Sequence, residues 1–395
     1  MTKQPKSLYL LNFVSMWECF SYYGMRSLLV LYMVHAFGYS DEKAFMLYAL
    51  YTTLIEFGGI FGGYVADTYL GQRLAIFIGG SIIAFGHTIM AMGSSESFCF
   101  IGLGTIVLGT SLFRPNCTAL VGQCYDVDDP RRDAGYTIFY TGINIGGFLA
   151  ALSCGYVGEK YGWDYGFGLA AIGMVAGLVT LTLGRSLLVA KKAAASATGG
   201  IAYKPLLACI ALLALFYGCE EQLGSTMVLF GERHVDRGII PAASLVMLNP
   251  LTILLGGPFI KRVLLAPRIK LFIGFLLLAS AFCLLGVATQ QVVPLVYVVA
   301  AIVLISLGEL FVGPTILVAA SRIAPTGKSG VVMGAVSLGF SAANIFSGLL
   351  SQMMTVQIPE ESVAIYTRGF LTIGVGALLF SLLLLRGATN ARAYV

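Results

Sequence analysis

Long apolar stretches, each followed by a short polar break, repeat along the whole chain. A helix needs about 20 predominantly apolar residues to cross a bilayer, and most of the stretches reach or approach that length. The breaks hold charged and turn-forming residues, as in Asp67 to Arg73 and Gln357 to Glu361. The pattern predicts twelve membrane-spanning helices, at residues 8–36, 44–66, 74–93, 98–123, 135–158, 167–188, 205–230, 243–261, 270–289, 294–320, 330–355 and 367–386.

Composition narrows the class of protein further. Only 11% of the residues are charged, against about 25% in soluble domains, and 58% are hydrophobic. The net charge of +5 comes from basic residues in loops rather than from a patch that would bind nucleic acid. The eight cysteines form no C-x-x-C motif, so they predict neither a metal site nor a disulfide framework. We expect an all-α, polytopic protein that lies in a lipid bilayer, with no cofactor.

The distribution of lysine and arginine predicts the orientation. If the N-terminus is cytoplasmic, most of the 24 Lys and Arg residues fall on the cytoplasmic side, as the positive-inside rule requires. An even number of spans returns the C-terminus to the same side. The segment 189–204, rich in Ala, Gly, Ser and Lys, separates six spans from six. We therefore predict an N-terminal six-helix bundle (1–188), a cytoplasmic linker (189–204) and a C-terminal six-helix bundle (205–395).

The first apolar stretch carries charges that a lipid-facing helix would exclude. Glu18, Tyr22 and Arg26 are four residues apart, and Ser15 lies three before Glu18, so all four share one helical stripe. Ionisable groups inside a membrane face a bundle interior or a water-filled cavity, because burial in lipid is costly. A structural Glu–Arg pair that only holds helices together is the alternative; the spacing favours a stripe that lines a cavity.

Two intramembrane arginines and two intramembrane acids fall in opposite halves of the chain. Arg26 and Arg114 lie in the first half, and Glu221 and Glu309 lie in the second. A zwitterion at the midplane would place its carboxylate on the arginines and its amine on Glu309 or Glu221. Protonation of a desolvated carboxylate is the natural way to couple the movement of such a zwitterion to the movement of protons. His87 is expected to hydrogen-bond within its own helix.

Several motifs resemble the proton-dependent oligopeptide transporter family, a branch of the major facilitator superfamily. Residues 15–26 resemble the helix 1 pattern E-x-x-E-R-F-S-Y-Y-G-M-R, with an unbroken match from Phe20 to Arg26. The similarity continues in chain order in both halves, at the gating motif Gly63–Arg73, at Phe113–Asn116 (F-K-P-N in the family), at Phe139–Gly146 (F-Y-x-x-I-N-x-G), at Glu221–Ser225 (E-Q-x-G-S), at Leu248–Pro250 (L-N-P) and at Gly308–Pro314 (G-E-L-x-x-S-P).

The resemblance implies a proton-coupled symporter that imports di- and tripeptides across the inner (plasma) membrane by alternating access. Its partners would be a small-molecule substrate and the lipid bilayer, and its coupling ion would be the proton. The expected substrate-binding residues are Tyr22, Tyr23, Arg26, Glu56, Arg114, Tyr140, Asn144, Tyr217, Asn249 and Glu309. The expected proton-coupling residues are Glu18, Glu56, Arg114 and Glu221, and the expected gating residues are Asp67 and Arg73.

The chain departs from the family pattern at positions that bear on cargo and coupling. Ser15 replaces an acid and Cys19 replaces an arginine in the helix 1 motif. Glu56 stands where the family usually has tyrosine, and Gly313 stands in a serine position. We expect Arg114 to pair with Glu18 and Glu56 to be a second, unpaired acid in the same half.

Three alternatives stay open at the level of sequence. The same fold could carry a non-peptide zwitterion or amine-bearing metabolite, such as an amino acid or a siderophore-like molecule, and could work as an exporter; Glu56 favours this cargo. Asn144 and Asn249 could serve only as interhelical hydrogen-bonding groups. A membrane enzyme or receptor is the third class, but no cluster of catalytic residue types supports it.

Overall fold

The computed structural model describes residues 3–93, 95–126, 129, 131–188, 202–260, 263–323, 329–356 and 362–386. Nearly all of these residues are helical. The helices are α1 (Lys6–Phe37), α2 (Asp41–Val65), α3 (Gln72–Ala91), α4 (Glu96–Gln123), α5 (Arg132–Ala150), α6 (Tyr156–Tyr161), α7 (Trp163–Gly184), α8 (Tyr203–Glu220), α9 (Thr226–His234), α10 (Leu248–Ile260), α11 (Pro267–Gly286), α12 (Leu295–Ile323), α13 (Ser329–Gln352) and α14 (Ser362–Arg386).

The predicted helical membrane architecture is confirmed. Within the described residues, ten helical segments are long and apolar enough to cross a membrane. The other two predicted spans correspond to α1, with 32 residues, and α13, with 24. At about 1.5 Å per residue each exceeds the thickness of a bilayer core. Large apolar side chains point outward along these helices, as lipid contact requires: Leu183 is 81% exposed and Phe259 is 69% exposed.

Among the described residues, five of the long helical segments depart from α-geometry, and three of these departures lie where α2, α5 and α8 end. A π-helical turn (Ala66–Leu70) extends α2, and a second (Ala151–Gly155) joins α5 to α6. A 3₁₀ turn (Glu221–Gly224) joins α8 to α9. Such departures from α-geometry within a helix are frequent at functional sites. The last of the three falls on the E-Q-x-G-S motif.

The chain forms two compact units. Unit 1 comprises Met1–Gly38, Tyr51–Ala194 and Ala243–Met247, and unit 2 comprises Tyr39–Leu50, Ala195–Ala242 and Leu248–Val395. The predicted domain bounds, 1–188 and 205–395, remain a prediction. Most of the predicted linker, residues 189–201, lies outside the described residues.

The core of unit 1 is built from α1, α3, α4, α5 and α7. Its fully buried members include Leu11, Ile76 and Phe113, each 0% exposed. Helices α2 and α4 approach each other closely, because a Cβ on Gly62 would collide with the backbone carbonyl of Ser111. Only glycine allows this contact, and it brings the last turns of α2 next to the middle of α4.

The core of unit 2 is aromatic. Phe230, Tyr366 and Phe370 pack with ring centroids 5.3 to 6.1 Å apart. A short parallel strand pair, β1 (Val235–Asp236) with β2 (Val293–Pro294), joins the segments after α9 and before α12, with Val235 opposite Val293. The Phe230 ring packs edge-to-face on Tyr366 and Phe370, which stack on each other, and all three side chains are buried.

Candidate functional site

One arginine in unit 1 contacts two carboxylates. The Nε of Arg114 donates a hydrogen bond to Glu18 Oε1 at 3.0 Å, so the predicted contact between these residues is present. Its Nη1 lies 3.6 Å from Glu56 Oε1. The expectation that Glu56 is an unpaired acid is therefore wrong. The cause is packing, because α2 lies against α4 and carries Glu56 to the guanidinium.

Local chemistry in α4 explains how the two helices come together. Pro115 has no N–H to donate to the carbonyl of Ser111, one turn earlier, and Gly62 packs against that carbonyl. The side-chain amide of Asn116 donates to the carbonyls of Leu112, at 2.8 Å, and Gly62, at 3.4 Å. The F-R-P-N sequence thus fixes the approach of α2 as well as the position of its arginine.

The Tyr22 ring lies near both intramembrane arginines of unit 1. The Cζ of Arg114 is 4.0 Å from its centroid, and the Cζ of Arg26 is 5.6 Å from it. Tyr23 packs edge-to-face on Tyr22 at 5.0 Å and also lies 5.8 Å from Arg26. Both guanidiniums are within the range of cation–π attraction. We call Glu18, Tyr22, Arg26, Glu56 and Arg114 the Arg114 cluster.

The cysteine that replaces the motif arginine also touches this cluster. Cys19 is buried, and its thiol donates a weak hydrogen bond to Glu18 Oε2 at 3.5 Å. Arg114 and Cys19 therefore contact different oxygens of one carboxylate. A thiol is a much weaker donor than a guanidinium, so Glu18 depends chiefly on Arg114 in this chain.

Sequence reasoning missed Tyr51, which belongs beside the Arg114 cluster. Its side chain is 3% exposed, and its hydroxyl has no hydrogen-bond partner within the described residues. Tyr22, Arg26 and Arg114 lie within electrostatic reach of it. A buried hydroxyl is normally satisfied by protein, water or ligand. Nothing in the spacing of α2 separates Tyr51 from its neighbour Tyr48, so the sequence gives no signal for it.

Two of the expected substrate-binding residues, Tyr140 and Asn144, lie one turn apart on α5. Asn144 is 7% exposed, and its amide donates to the carbonyl of Tyr140 within the same helix, at 2.9 Å. The side chain of Tyr140 is 46% exposed. A role for either residue in binding substrate stays a prediction.

The predicted acid of α12 is held by a neutral amide in unit 2. Asn249 donates from Nδ2 to Glu309 Oε2 at 3.0 Å and to Ser306 Oγ at 3.1 Å. Glu309 is 9% exposed. Asn249 therefore does form an interhelical hydrogen bond, from α10 to α12, and its partner is the expected amine-binding acid. We call these three residues the Glu309 cluster.

Tyr217 occupies space that Gly313 leaves open. Its ring packs edge-to-face on Phe340, with the centroids 4.9 Å apart. A Cβ built on Gly313 would lie 2.5 Å from the Tyr217 hydroxyl oxygen. The serine found at this position in the family pattern would require the phenol to move. The observed position of the Tyr217 side chain therefore depends on glycine at position 313.

Glu221 begins the 3₁₀ turn between α8 and α9 and is half-buried, as is Glu220. The next residue fixes this turn. Gln222 Nε2 donates to Ser347 Oγ at 2.9 Å, while its Oε1 accepts from Thr226 at 2.8 Å and from Ser351 at 3.0 Å. Gln222 is fully buried and fully satisfied, so it anchors the turn to α13.

An ion pair in unit 2, between Asp41 and Arg233, was not expected from the sequence. Arg233 donates to both carboxylate oxygens of Asp41, at 2.6 and 2.7 Å, and to the hydroxyl of Tyr366 at 3.1 Å. Both residues lie at helix ends, where charged side chains are usually exposed, yet Asp41 is only 5% exposed. Two-point Arg–carboxylate contacts of this kind are the strong ones.

The two predicted gating residues are not joined to either cluster. Asp67 lies in the π-helical turn after α2, and Arg73 lies in the first turn of α3. Both are exposed. Their gating role stays a prediction.

Three comparisons place the chain among known proteins. The profile of the POT family matches residues 73–213 and 201–367, well over half of the chain. "Dipeptide and tripeptide permease A" of Cronobacter turicensis is 26% identical over 460 residues, covering 97% of this chain and 92% of that protein. The permease of the same name from Escherichia coli is 26% identical over 459 residues, with the same coverage.

Solved structures show the same fold. The crystal structure of a peptide transporter POT in complex with sulfate has a TM-score of 0.85 and 29% identity, covering 98% of this chain and 95% of the other. A POT family transporter in complex with 5-aminolevulinic acid has a TM-score of 0.87 and 24% identity, covering 98% and 96%.

Proposed function

The chain belongs to the POT family, and from that premise we propose that it is a proton-coupled symporter that imports di- and tripeptides by alternating access. It is a transporter rather than an enzyme. Relatives named as dipeptide and tripeptide permeases support the cargo class. We place it in the inner (plasma) membrane with both termini in the cytoplasm, because most Lys and Arg residues then lie inside.

The contact between Glu18 and Arg114 carries the proposal. A cargo carboxylate that reaches Arg114 competes with Glu18 for the same guanidinium. Once released, the buried Glu18 has lost its counter-charge, and it is the group that we propose accepts the coupled proton. Binding of cargo and of a proton are then linked through one arginine.

Charge placement supports a zwitterionic cargo. Arg26 and Arg114 supply cations in unit 1, and Glu309 supplies an anion in unit 2. A peptide backbone carries the complementary charges at its two ends. The side-chain amide of Asn249 orients Glu309 by donating to its Oε2, and a carboxylate can bind an amine through a charge-assisted hydrogen bond.

A second cargo class is favoured by Glu56. Because this acid contacts Arg114, the cation available to a peptide carboxylate is partly neutralised. An amino acid, an amine-bearing metabolite or a siderophore-like molecule would suit such a site, and export would be possible with the same fold.

Reconstitution in proteoliposomes tests the proposal. A labelled dipeptide should accumulate when an inward proton gradient is imposed, and unlabelled di- and tripeptides should compete with it. A panel of amino acids and amines run beside the peptides separates the two cargo classes. Competition by the amines alone, with no peptide uptake, would reject peptide symport.

A further inference from the structure

The two carboxylates that contact Arg114 are held unequally. Glu18 is 1% exposed and lies 3.0 Å from the guanidinium, with a second contact from Cys19. Glu56 is 30% exposed, and its contact is longer, at 3.6 Å. A charge pair that is more exposed and longer is weaker. Glu56 is therefore the partner that an arriving ligand displaces from Arg114 first.

The acid in α2 also changes the charge balance around Tyr22. Glu18 and Glu56 carry two negative charges, and Arg26 and Arg114 carry two positive charges, so the Arg114 cluster is neutral when all four are ionised. Without Glu56 the same cluster would carry one net positive charge. An arriving carboxylate is attracted less to the neutral arrangement and is repelled directly by Glu56. The tyrosines and the cysteine that also lie within electrostatic reach of Arg114 are uncharged side chains at neutral pH: Cys19, Tyr22, Tyr23 and Tyr51.

Resting on the proposed function, we propose that Glu56 is a specificity-determining residue that competes with the carboxylate of the cargo for Arg114. Glu56 reduces, but does not abolish, the higher affinity for peptides with a free C-terminal carboxylate than for molecules whose corresponding end is uncharged. The chain thereby accepts amine-bearing molecules with an amide at that end better than it would with a neutral residue in α2. Arg26 still contributes to binding the carboxylate, so free acids keep some advantage.

Glu56→Gln removes the charge and keeps the shape of the side chain. Because Glu56 is partly exposed and lies in a helix interior, glutamine is tolerated there. Glu56→Asp keeps the charge and withdraws it by one methylene. Glu42→Gln is the matched control, because Glu42 is an exposed acid in the first turn of the same helix, away from the cluster.

Isothermal titration of the purified full-length protein in detergent measures the effect. The probes are alanyl-alanine and its C-terminal amide, and the readout is the ratio of their affinities. We expect Glu56→Gln to shift this ratio toward the free acid by about tenfold, the order expected for one charge-assisted contact. Glu56→Asp should give a smaller shift, and Glu42→Gln should match the wild type. An unshifted ratio in Glu56→Gln would overturn the inference.

A second probe pair keeps this inference distinct from the proposed cargo. The pair is 6-aminohexanoic acid and its amide, which have the same end groups without a peptide bond. If the dipeptides do not bind but this pair does, and its ratio shifts in Glu56→Gln, the peptide cargo fails and the role of Glu56 stands. If the dipeptides bind with an unshifted ratio, the cargo stands and the role fails. No binding of either pair would reject both.

Discussion

The Arg114 cluster and the Glu309 cluster place buried charge in opposite ways. In unit 1, Arg114 is compensated by two carboxylates, and the contacts are ionic. In unit 2, Glu309 accepts a hydrogen bond from the neutral amide of Asn249. The ionic cluster responds when a competitor displaces one of the carboxylates from Arg114, whereas the hydrogen bond from Asn249 orients the Glu309 carboxylate. The first arrangement suits coupling, and the second suits attraction of a cation.

The largest expected effect tests the ionic side of this comparison. Glu18→Gln removes the carboxylate that Arg114 releases, so we expect exchange of substrate across the membrane to continue while uphill accumulation driven by a proton gradient is lost. Both are measured in proteoliposomes, with Glu42→Gln as the control. If Glu18→Gln accumulates substrate normally and Glu56→Gln does not, the coupling acid lies in α2 instead.

The next effect tests the amide-held acid. Glu309→Gln should weaken binding of free-amine peptides on the order of a hundredfold, because a charge-assisted hydrogen bond is lost. N-acetylation of the peptide should cost the wild type about as much, and should cost the Glu309→Gln variant almost nothing more. Affinity for free-amine peptides that matches the wild type would remove Glu309 from the amine site.

A smaller effect separates Arg26 from Arg114 within the same cluster. Arg26→Ala should weaken binding of free-acid peptides about tenfold, and Arg26→Lys should weaken it less, although only a guanidinium can contact a carboxylate at two points. C-terminal amidation should remove the difference between the variants. If amidated peptides bind the wild type as well as free acids do, Arg26 has no role in binding the carboxylate.

A loss of dipeptide affinity of about fivefold is expected from a substitution beside Tyr217 in unit 2. Gly313→Ser places a Cβ against the Tyr217 hydroxyl, which costs about 1 kcal/mol for a side chain forced to shift. Tyr217→Phe removes the hydroxyl, so Gly313→Ser in the Tyr217→Phe background should bind dipeptides nearly as well as Tyr217→Phe alone. Equal losses from Gly313→Ser in both backgrounds would show that the hydroxyl is not the obstacle.

Features that depend on the local sequence could be predicted, whereas features that depend on contacts between helices could not. The contact of Glu18 with Arg114 could be predicted, because intramembrane charges require partners of opposite charge. The contact of Glu56 depends on how closely α2 approaches α4, and that is set by Gly62 against Ser111 rather than by any local pattern.

The pair formed by Asp41 and Arg233 was missed for a related reason. A helix-end charge looks exposed in a linear sequence, but packing in unit 2 buries Asp41 beside Tyr366. The order of the membrane-spanning helices can be predicted from hydrophobicity alone. The partners of polar side chains at helix ends and between helices are seen only in the folded structure.

The smallest effect concerns stability and extends the comparison to a buried polar group with no partner. His87 was expected to hydrogen-bond within its helix, yet it is 0% exposed and both ring nitrogens lack a partner within the described residues. Such a group costs about 1–3 kcal/mol, so His87→Leu should raise the melting temperature in detergent by a few degrees and leave transport unchanged. Gln222→Leu makes the same polar-to-apolar change where Ser347, Ser351 and Thr226 are partners, and it should lower the melting temperature instead. If His87→Leu lowers the melting temperature or abolishes transport, the imidazole has a partner or a role that its surroundings in unit 1 do not reveal.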